Sequence, residues 1–306
     1  FRSTSWKGGR LAPLYKGRGS PADPSAYRAI YISDYTSKLY HKMIRQQLEV
    51  AWTNRMDLLQ LGGRKSMGTD LAHHMLEAHQ FWCKCQKVPS AIVFFDLKAA
   101  FYSVLRQALV ATELDPTALI AVLTKFGLPS EVIHAWLQQA STDHAVLDAS
   151  PHLEKLVQDC MTNTFFSIDG VPGVCKTTRG TRPGDPLGDL LFNLIMRLVL
   201  HDTHEYVQMH GDAVWIGQAE TCSSFAMSQS LPARAYFDVS FVDDAAVAIH
   251  STGLDDLEAL IRIVVEGFHH AAAARGLHIN FDKGKTEVVW DIIGKEIGRA
   301  SCRERV

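Results

Sequence analysis

The stretch VSFVDDAAVAI at residues 239–249 consists of two apolar runs that meet at two adjacent carboxylates, Asp243 and Asp244. Valine, isoleucine and phenylalanine favour strands, so the pattern predicts two short strands joined at these aspartates. A second apolar run, AIVFF at residues 91–95, predicts a buried strand that ends in Asp96. Neighbouring side chains in a strand point to opposite faces, but a tight turn can bring both carboxylates to one side.

These carboxylates predict a metal site. Three neighbouring carboxylates repel each other at pH 7 unless a cation lies among them. Mg²⁺ prefers oxygen ligands and is usually held by one or two carboxylates together with substrate phosphates. Two such ions about 3.5–4 Å apart stabilise the attacking and leaving oxygens of an in-line phosphoryl transfer. An isolated Asp-Asp pair is more often a solvated turn, but the second strand that ends in Asp96 favours the metal site.

Length and composition exclude several classes of protein. The chain has 306 residues, of which 47% are hydrophobic and 21% charged, and this composition is typical of a globular chain with a large core. Its 6 cysteines are too few and too scattered for a disulfide scaffold. Because no apolar run reaches the roughly 18 residues that span a bilayer, we expect no membrane association. The sequence predicts a soluble, intracellular protein that is not secreted.

The net charge of −2 conceals an asymmetry along the chain. Residues 1–65 contain 12 Lys and Arg against 4 Asp and Glu, a net charge of +8, and the remaining 19 basic and 29 acidic residues give −10. This distribution favours a protein that binds polyanions with one part and metal cations with another. Chance clustering on a solvated surface is the alternative.

Both ends of the chain have unusual features. The sequence begins at Phe1 without a methionine, and we interpret it as a piece of a longer polypeptide. Residues 296–306, EIGRASCRERV, resemble an in-frame translation of a sequencing-library adapter. We therefore expect a non-native tail there and leave it out of the fold and function analysis. A native basic tail is the alternative.

The remaining sequence predicts an irregular mixture of helices and strands. The spacing of apolar residues and the turn residues predict a hairpin over 164–178 and an irregular insertion over 205–235. We expect the helices at about residues 33–60, 69–86, 98–110, 115–125, 185–204 and 255–275. Because strands and helices do not alternate regularly, the expected fold class is α+β.

Several short motifs follow one another along the chain, and both their residues and their order are informative. They are KG at 16–17, YRAI at 27–30, Gln60 with Gly62, GTD at 68–70, DLKAAF at 96–101, GTRPGDPL at 180–187, LFN at 191–193, FVDD at 241–244, GL at 276–277 with Asn280, and KTE at 285–287. Over about residues 6–290 they resemble the reverse transcriptase domain of non-LTR (LINE-type) retrotransposons.

The resemblance implies a right-hand polymerase fold, with an antiparallel palm sheet packed on helices. The palm would cover residues 91–118 and 179–292. The fingers would cover residues 1–90, and residues 119–178 would add further fingers or connecting helices and a hairpin. The thumb would lie beyond this chain.

The resemblance also implies the catalytic residues. Asp96 and Asp243 would bind two Mg²⁺ ions, which Mn²⁺ could replace, with Asp244 as a lesser ligand or a structural carboxylate. Lys285 would protonate the departing pyrophosphate as a general acid. An ordinary surface lysine is the alternative for Lys285.

Further residues would bind the substrates. Lys16 and Arg28 would neutralise the incoming triphosphate, since a guanidinium can bind phosphate oxygens in a bidentate manner. Phe101 would pack beneath the sugar and exclude a 2′-OH. Arg182 and Gly184 belong to the turn that supports template and nucleotide in the family. The alternatives are ordinary surface cations for Lys16 and Arg28, and core packing for Phe101.

The implied activity is RNA-directed DNA synthesis. The 3′-OH of a DNA primer would attack a dNTP on an RNA template, and the protein would work in the nucleus or cytoplasm as a ribonucleoprotein. Two other functions stay open. One is a nucleic-acid-binding remnant of the same fold without turnover, and the other is a different palm-fold enzyme such as a nucleotide cyclase.

Several positions depart from the family pattern. Pro183 replaces the usual Gln, Asp185 replaces a small residue such as Cys, and Tyr102 occupies a place often held by Asp. Gly188 and Asp189 replace a usual Ser-Pro. Because Pro183 removes a backbone donor and a side-chain amide near the template–nucleotide contact, it puts efficiency and fidelity in question.

A zinc site is not expected from the sequence. His73, His74 and His79 lie near Cys83 and Cys85, but their spacing matches no usual zinc finger or ribbon. We interpret these residues as ordinary core and surface positions of a helix.

Overall fold

The computed structural model describes residues 4–53, 56–110, 116–140, 150–216 and 232–292. Two predicted segments lie outside the described residues: the tail at residues 296–306, and residues 217–231 of the predicted insertion. Within the described ranges, none of the helices is long and apolar enough to cross a membrane.

Helices and strands both contribute to the fold. The helices are α1 (Tyr35–Thr53), α2 (Thr69–Gln86), α3 (Ala100–Ser103), α4 (Pro116–Lys125), α5 (Ser130–Ala140), α6 (Pro151–Met161), α7 (Gly188–Gly211) and α8 (Leu254–Ala274). The strands are β1 (Gly8–Tyr15), β2 (Tyr27–Ser33), β3 (Ser90–Phe95), β4 (Thr164–Ile168), β5 (Cys175–Thr177), β6 (Val214–Trp215), β7 (Arg234–Phe241), β8 (Asp244–Ser251) and β9 (Glu287–Asp291).

The chain divides into two compact units. Unit 1 comprises Phe1–Arg55, Ala99–Ala121 and Glu131–Leu194. Unit 2 comprises Met56–Lys98, Val122–Ser130 and Ile195–Val306. The boundaries of fingers and palm stay predictions.

Unit 1 contains a four-stranded sheet with the strand order β2-β1-β4-β5. Strands β1 and β2 are antiparallel, β1 and β4 are parallel, and β4 and β5 are antiparallel. The β4–β5 pair confirms the hairpin predicted over residues 164–178.

Unit 2 contains a five-stranded sheet with the strand order β6-β7-β8-β3-β9. Its pairs are antiparallel except for the short parallel pair β6–β7, so the sheet is mixed and not wholly antiparallel as expected. Apolar side chains of α2, β3, β7 and β8 form a buried core that includes Leu76, Ile92, Phe237 and Ala248. Helix α8 packs on β3 and β8 through contacts such as the stacked rings of Phe95 and Phe268, 3.9 Å apart. The α+β class is confirmed.

Three of the predicted elements differ from the structure. The helix expected over about 33–60 ends at Thr53, and residues 59–61 form backbone hydrogen bonds with Ser240 of β7. The helix expected over 98–110 consists of the single turn α3 and a 3-10 turn, Arg106–Ala108. The helix is interrupted because the backbone carbonyls of Phe101 and Val104 accept hydrogen bonds from the N–H groups of Thr181 and Gly180, at 2.8 and 2.9 Å. The insertion expected over 205–235 is regular at both ends, since α7 continues to Gly211 and β7 begins at Arg234.

Candidate active site

The predicted hairpin with two aspartates is present at the junction of β7 and β8. Phe241 pairs with Asp244, so the connection consists only of Val242 and Asp243. Val242 has φ 60°, a left-handed backbone conformation that is rare for a β-branched residue. The two-residue connection therefore fixes Asp243 and Asp244 at one end of the pair of strands.

Strand β3 lies beside β8 and brings the third carboxylate to the same end. Because Phe95 pairs with Ala245, Asp96 is next in register to Asp244. Burial raises the pKa of Asp244, and the negative charge of Asp96 raises it further, while Lys285 acts in the opposite direction. Such like-charge repulsion is what a bound cation would relieve.

Asp96 is held by groups from the segment that precedes β9. The Asn280 amide donates to Asp96 Oδ2 at 2.9 Å, and Lys285 Nζ lies 3.2 Å from the same oxygen. The backbone N–H of Asp96 donates to Thr286 Oγ1 at 3.1 Å. The structure thus brings Asp96, Asp244 and Lys285 into electrostatic contact within unit 2.

This donor set fits a hard divalent cation. The side chains at this end of the sheet are carboxylates, and oxygen is the ligand that Mg²⁺ prefers. Asp96 is partly exposed, with a side chain 31% accessible, so a ligand can approach it. Lys285 provides the positive charge near Asp96 in the protein alone.

The segment before α2 supports the hairpin from the other side of β7. The N–H of Ser240 donates to Leu59 O at 3.2 Å, and the N–H of Leu61 donates to Ser240 O at 2.8 Å. At Gly62 an added Cβ would lie 2.2 Å from the backbone N of Val242. Only glycine therefore permits this approach to the turn.

In unit 1, the predicted substrate residues Arg182 and Gly184 lie against β2. Gly184 has φ 98°, and an added Cβ there would lie 2.5 Å from Tyr31 O. The guanidinium of Arg182 lies over the Tyr31 ring at 5.5 Å. The N–H of Tyr31 donates to the carbonyl of Pro183 at 3.2 Å, a contact that proline can make as well as glutamine.

Asp185, one of the departures from the family pattern, has a structural role. Its Oδ2 lies 2.9 Å from His41 Nδ1 and 3.3 Å from Arg182, and its Oδ1 accepts the N–H of Leu187 at 3.0 Å. Burial alone would raise the pKa of Asp185, but the hydrogen bond with His41 and the charge of Arg182 lower it. Burial alone would lower the pKa of His41, but the hydrogen bond with Asp185 outweighs it, and the pKa of His41 is raised to about 9.

The predicted sugar-selecting residue, Phe101, is half-buried and stacks on the fully buried Phe192 with ring centroids 4.6 Å apart. The next residue, Tyr102, is 40% exposed. It lines a cavity of about 170 Å³ together with Tyr31, Arg106, Arg179 and Arg182, among others. Aromatic and guanidinium groups thus surround one small cavity within unit 1.

Lys16 and Arg28 lie on the β1–β2 hairpin of unit 1. The N–H of Lys16 donates to Ala26 O at 2.8 Å, directly after β1, and Arg28 pairs with Leu14 in the sheet. Both side chains are exposed. The structure thus places these two predicted phosphate-binding residues together on one hairpin.

Sequence analysis missed the residues that position Asp96. Asn280 and Thr286 were part of quoted motifs, but their contacts with Asp96 span 184 and 190 positions. The available signal was the position of these two polar residues in the sequence: Asn280 precedes Lys285, the predicted general acid, and Thr286 follows it. Sequence analysis also missed the pairing of residues 59–61 with β7, since this segment lacks the length of a strand.

A search of curated proteins finds no match. Among solved structures, the apo telomerase of Candida tropicalis, truncated from its C-terminal domain, matches with a TM-score of 0.52 and 11% identity over 96% of this chain and 52% of that chain. The telomerase of Candida tropicalis in complex with the TWJ fragment of telomeric RNA matches with a TM-score of 0.53 and 11% identity, over 97% of this chain and 42% of that chain.

These structural matches share the fold of this chain. The chain spans about half or less of the length of the two telomerase chains. A family match covers residues 16–296, which include most of each unit and all the candidate site residues described above. The chain therefore belongs to the reverse transcriptase (RNA-dependent DNA polymerase) family.

Proposed function

We propose that this chain is the fingers and palm part of an RNA-directed DNA polymerase from a non-LTR retrotransposon. The observation that carries the proposal is the meeting of Asp96 and Asp244 on neighbouring strands, with Lys285 beside Asp96. Membership of the reverse transcriptase family supports the reaction. The order of motifs along the sequence supports the retrotransposon origin.

Asp96 and Asp243 would hold two Mg²⁺ ions, with Asp244 as a further carboxylate of the site. The bound ions supply the positive charge that polarises the primer 3′-OH and the α-phosphate of the dNTP. Asn280 and Thr286 orient the segment at Asp96 through hydrogen bonds. They therefore fix the position of the carboxylate before the substrates bind.

Lys285 would act at the leaving group. In the protein alone its Nζ lies 3.2 Å from Asp96 Oδ2. The ammonium of Lys285, which lies beside Asp96, would donate a proton to the departing pyrophosphate. Proton transfer of this kind contributes about 10²–10⁴-fold to a rate.

Exposed and aromatic residues of unit 1 would bind the nucleotide and template. Lys16 and Arg28 lie exposed on one hairpin and would contact the triphosphate. Arg182 and Gly184 would support the template and the incoming nucleotide, and Phe101 would lie against its sugar. The partners would be an RNA template, a DNA primer and dNTPs, in an intracellular ribonucleoprotein.

Primer extension on an RNA template tests the proposal. We expect Asp96→Asn and Asp243→Asn each to abolish extension while circular dichroism reports an intact fold. A matched control is Asp255→Asn, which changes an exposed aspartate at the start of α8 and should leave extension unchanged. The measurement uses this chain and a longer polypeptide with its native downstream sequence.

The outcomes separate the proposed function from its alternatives. Full extension by Asp243→Asn would refute the assignment of the metal ligands. Tight binding of primer–template without extension, in the wild-type chain and in the longer polypeptide, would favour the nucleic-acid-binding remnant. Nucleotide turnover that does not depend on a template would favour a different palm-fold enzyme.

A further inference from the structure

A buried cluster of one thiol and two imidazoles lies in unit 2. His79 and Cys83 are four residues apart on α2, so their side chains lie on one face of the helix. They meet His250 near the end of β8. The three residues are 5%, 0% and 0% exposed, respectively. Asp244 lies at the other end of β8, six residues or about 20 Å away, so the cluster is separate from the carboxylates.

The distances in this cluster match those around a tetrahedral metal ion. His79 Nε2 lies 3.1 Å from His250 Nδ1 and 3.6 Å from Cys83 Sγ, and the three ligand atoms all lie within 4.8 Å of one another. With usual Zn–N and Zn–S bond lengths, tetrahedral ligands are about 3.3 Å apart for two nitrogens and about 3.6 Å apart for nitrogen and sulfur. A small adjustment of side chains would place these three atoms at three corners of a tetrahedron and leave the fourth corner for a water molecule.

The hydrogen bonding of His250 orients a lone pair toward the cluster. Its Nε2 lies 3.1 Å from the carbonyl of Pro232, which can only accept a hydrogen bond. The proton therefore lies on Nε2, and Nδ1 presents its lone pair to His79 and Cys83. Metal-binding histidines usually donate their other N–H to a carbonyl or carboxylate in this way.

Burial keeps both imidazoles neutral, which is the form that binds metals. It lowers the pKa of His79 to about 3, with a smaller contribution from His250, and lowers the pKa of His250 to about 4. Neither imidazole therefore carries a positive charge at neutral pH, and metal binding requires only that the single N–H of His79 lies on Nδ1. Burial also raises the pKa of the Cys83 thiol to about 12, so metal binding has to displace a proton from sulfur.

We propose that His79, Cys83 and His250 bind one Zn²⁺ ion that links α2 to β8. Binding forms two Zn–N bonds and one Zn–S bond. The proton of the Cys83 thiol goes to solvent, and the proton that His79 Nε2 donates to His250 Nδ1 moves to Nδ1 of the His79 ring. Imidazole and thiolate are the ligands that zinc prefers, whereas Mg²⁺ prefers oxygen. The negative charge of Asp291, which also pairs with Lys84 at 3.0 Å, acts on Cys83 and would favour a bound cation. This proposal does not depend on the polymerase activity.

Cobalt titration of the purified 306-residue chain tests the site, since Co²⁺ occupies zinc sites and has a thiolate-to-cobalt charge-transfer band. After removal of metals with a chelator, we expect one Co²⁺ per chain, this band, and its loss on addition of Zn²⁺. Cys83→Ser should abolish the band. His250→Gln should weaken cobalt binding by more than the roughly 10–100-fold that the loss of an outer hydrogen-bond partner costs.

Cys85→Ser is the matched control, because Cys85 is an exposed thiol on the same helix. The band should persist in this variant. Absence of stoichiometric cobalt binding by the wild-type chain, persistence of the band in Cys83→Ser, or its loss in Cys85→Ser would each overturn the proposal.

Thermal unfolding provides a second readout that does not need the band. Zn²⁺ should raise the Tm of the wild-type chain and of Cys85→Ser by several degrees, because it binds the folded state. It should not raise the Tm of Cys83→Ala or His250→Gln. Equal shifts in all four proteins would overturn the site. If one of the two site variants does not fold, the other decides the outcome.

Discussion

At the scale of the single residue, two aspartates show how strongly position controls a carboxylate. Burial and the nearby charge of Asp96 raise the pKa of Asp244 at the sheet end, which prepares this site for a cation. Asp185 is more deeply buried, but its hydrogen bond with His41 and the charge of Arg182 lower its pKa. At Asp244 the charge of Lys285 is too weak to offset burial, whereas at Asp185 the two partners His41 and Arg182 more than offset it.

The pairing of His41 with Asp185 makes stability depend on pH. The folded pKa of His41 is about 9, above its ordinary value of 6.5, so its contribution is complete below pH 6.5 and is lost as pH rises through about 9. A shift of this size corresponds to about 3 kcal/mol. Urea unfolding of the wild-type chain at pH 6.5 and 9.5 should detect the loss.

The variant His41→Leu isolates this effect. It should be destabilised by about 3 kcal/mol at pH 6.5, because Asp185 loses a buried partner. Between pH 6.5 and 9.5 its stability should change less than that of the wild-type chain. His73→Leu, at an exposed position, is the control and should retain the wild-type pH dependence. The same pH dependence in His41→Leu would contradict the assigned pKa.

Phe101 supports a prediction about sugar selection. A 2′-OH pressed against an aromatic face loses its hydrogen-bond partner, which costs roughly 1–3 kcal/mol, or about tenfold to a hundredfold in discrimination. We expect Phe101→Ala to raise incorporation of ribonucleotides relative to deoxynucleotides while extension persists. An unchanged ratio in an active variant would make the ring a packing partner of Phe192 only.

At the scale of the element, Arg106 connects the short 3-10 turn to the β4–β5 hairpin. Its guanidinium donates to Thr164 Oγ1 at 2.6 Å and to Thr177 O at 3.0 Å, besides the carbonyls of Arg179, Gly180 and Met161. Burial, together with the charge of Arg182, lowers the pKa of Arg106 to about 10. The buried guanidinium of Arg106 thus donates hydrogen bonds to oxygen atoms in several segments of unit 1 and holds these segments together.

Replacement of this guanidinium should destabilise unit 1. We expect Arg106→Lys to cost about 3 kcal/mol in the free energy of unfolding, since an ammonium cannot reach all these acceptors and leaves buried carbonyls unpaired. Denaturant unfolding measures the cost. Arg262→Lys, an exposed change on α8, should stay within about 0.5 kcal/mol of the wild-type chain. A cost for Arg106→Lys as small as that of this control would contradict the role of the guanidinium.

The sequence predicted those elements whose signals are local. The hairpin at Asp243 and Asp244 and the strand before Asp96 follow from runs of apolar, β-branched and aromatic residues, and the structure contains both. Local periodicity failed over 98–110, because the backbone carbonyls of Phe101 and Val104 accept hydrogen bonds from Thr181 and Gly180, which are distant in the sequence. Propensity cannot report a contact of this kind.

The candidate site was predictable to a similar extent. The three carboxylates and Lys285 were recognisable by type and order. Their supporting partners Asn280 and Thr286 act through contacts across more than 180 positions. The link between His79 and His250 spans 171 positions, so spacing along α2 alone could not indicate it.

At the scale of the whole molecule, charge is unevenly distributed along the sequence. The first 65 residues carry a net charge of +8, and the remainder carries −10. Polyanion binding by the basic part releases counterions, and its affinity therefore depends on salt. The acidic remainder of the chain repels polyanions, so they should bind less well to the rest of the surface.

Binding of an RNA–DNA hybrid should fall at least about tenfold between roughly 50 and 200 mM salt, as measured by fluorescence anisotropy. Arg28→Gln should reduce the slope of log affinity against log salt by about 1 if the residue contacts a phosphate. Arg262→Gln, where the wild-type side chain pairs with Glu258, should leave the slope unchanged. Binding that does not depend on salt would contradict a role for the basic part.

The close approach of Gly62 to the turn at Val242 has a consequence for the entropy of substrate binding. A two-residue connection in a strained conformation, packed against a glycine backbone, has few alternative arrangements. The conformational freedom of this loop is therefore lost when the protein folds and not when a nucleotide arrives. Under the proposed function, nucleotide binding would not have to order the aspartates. A methyl group at residue 62 would displace the turn at Val242, and the aspartates would then have to be ordered when the nucleotide binds.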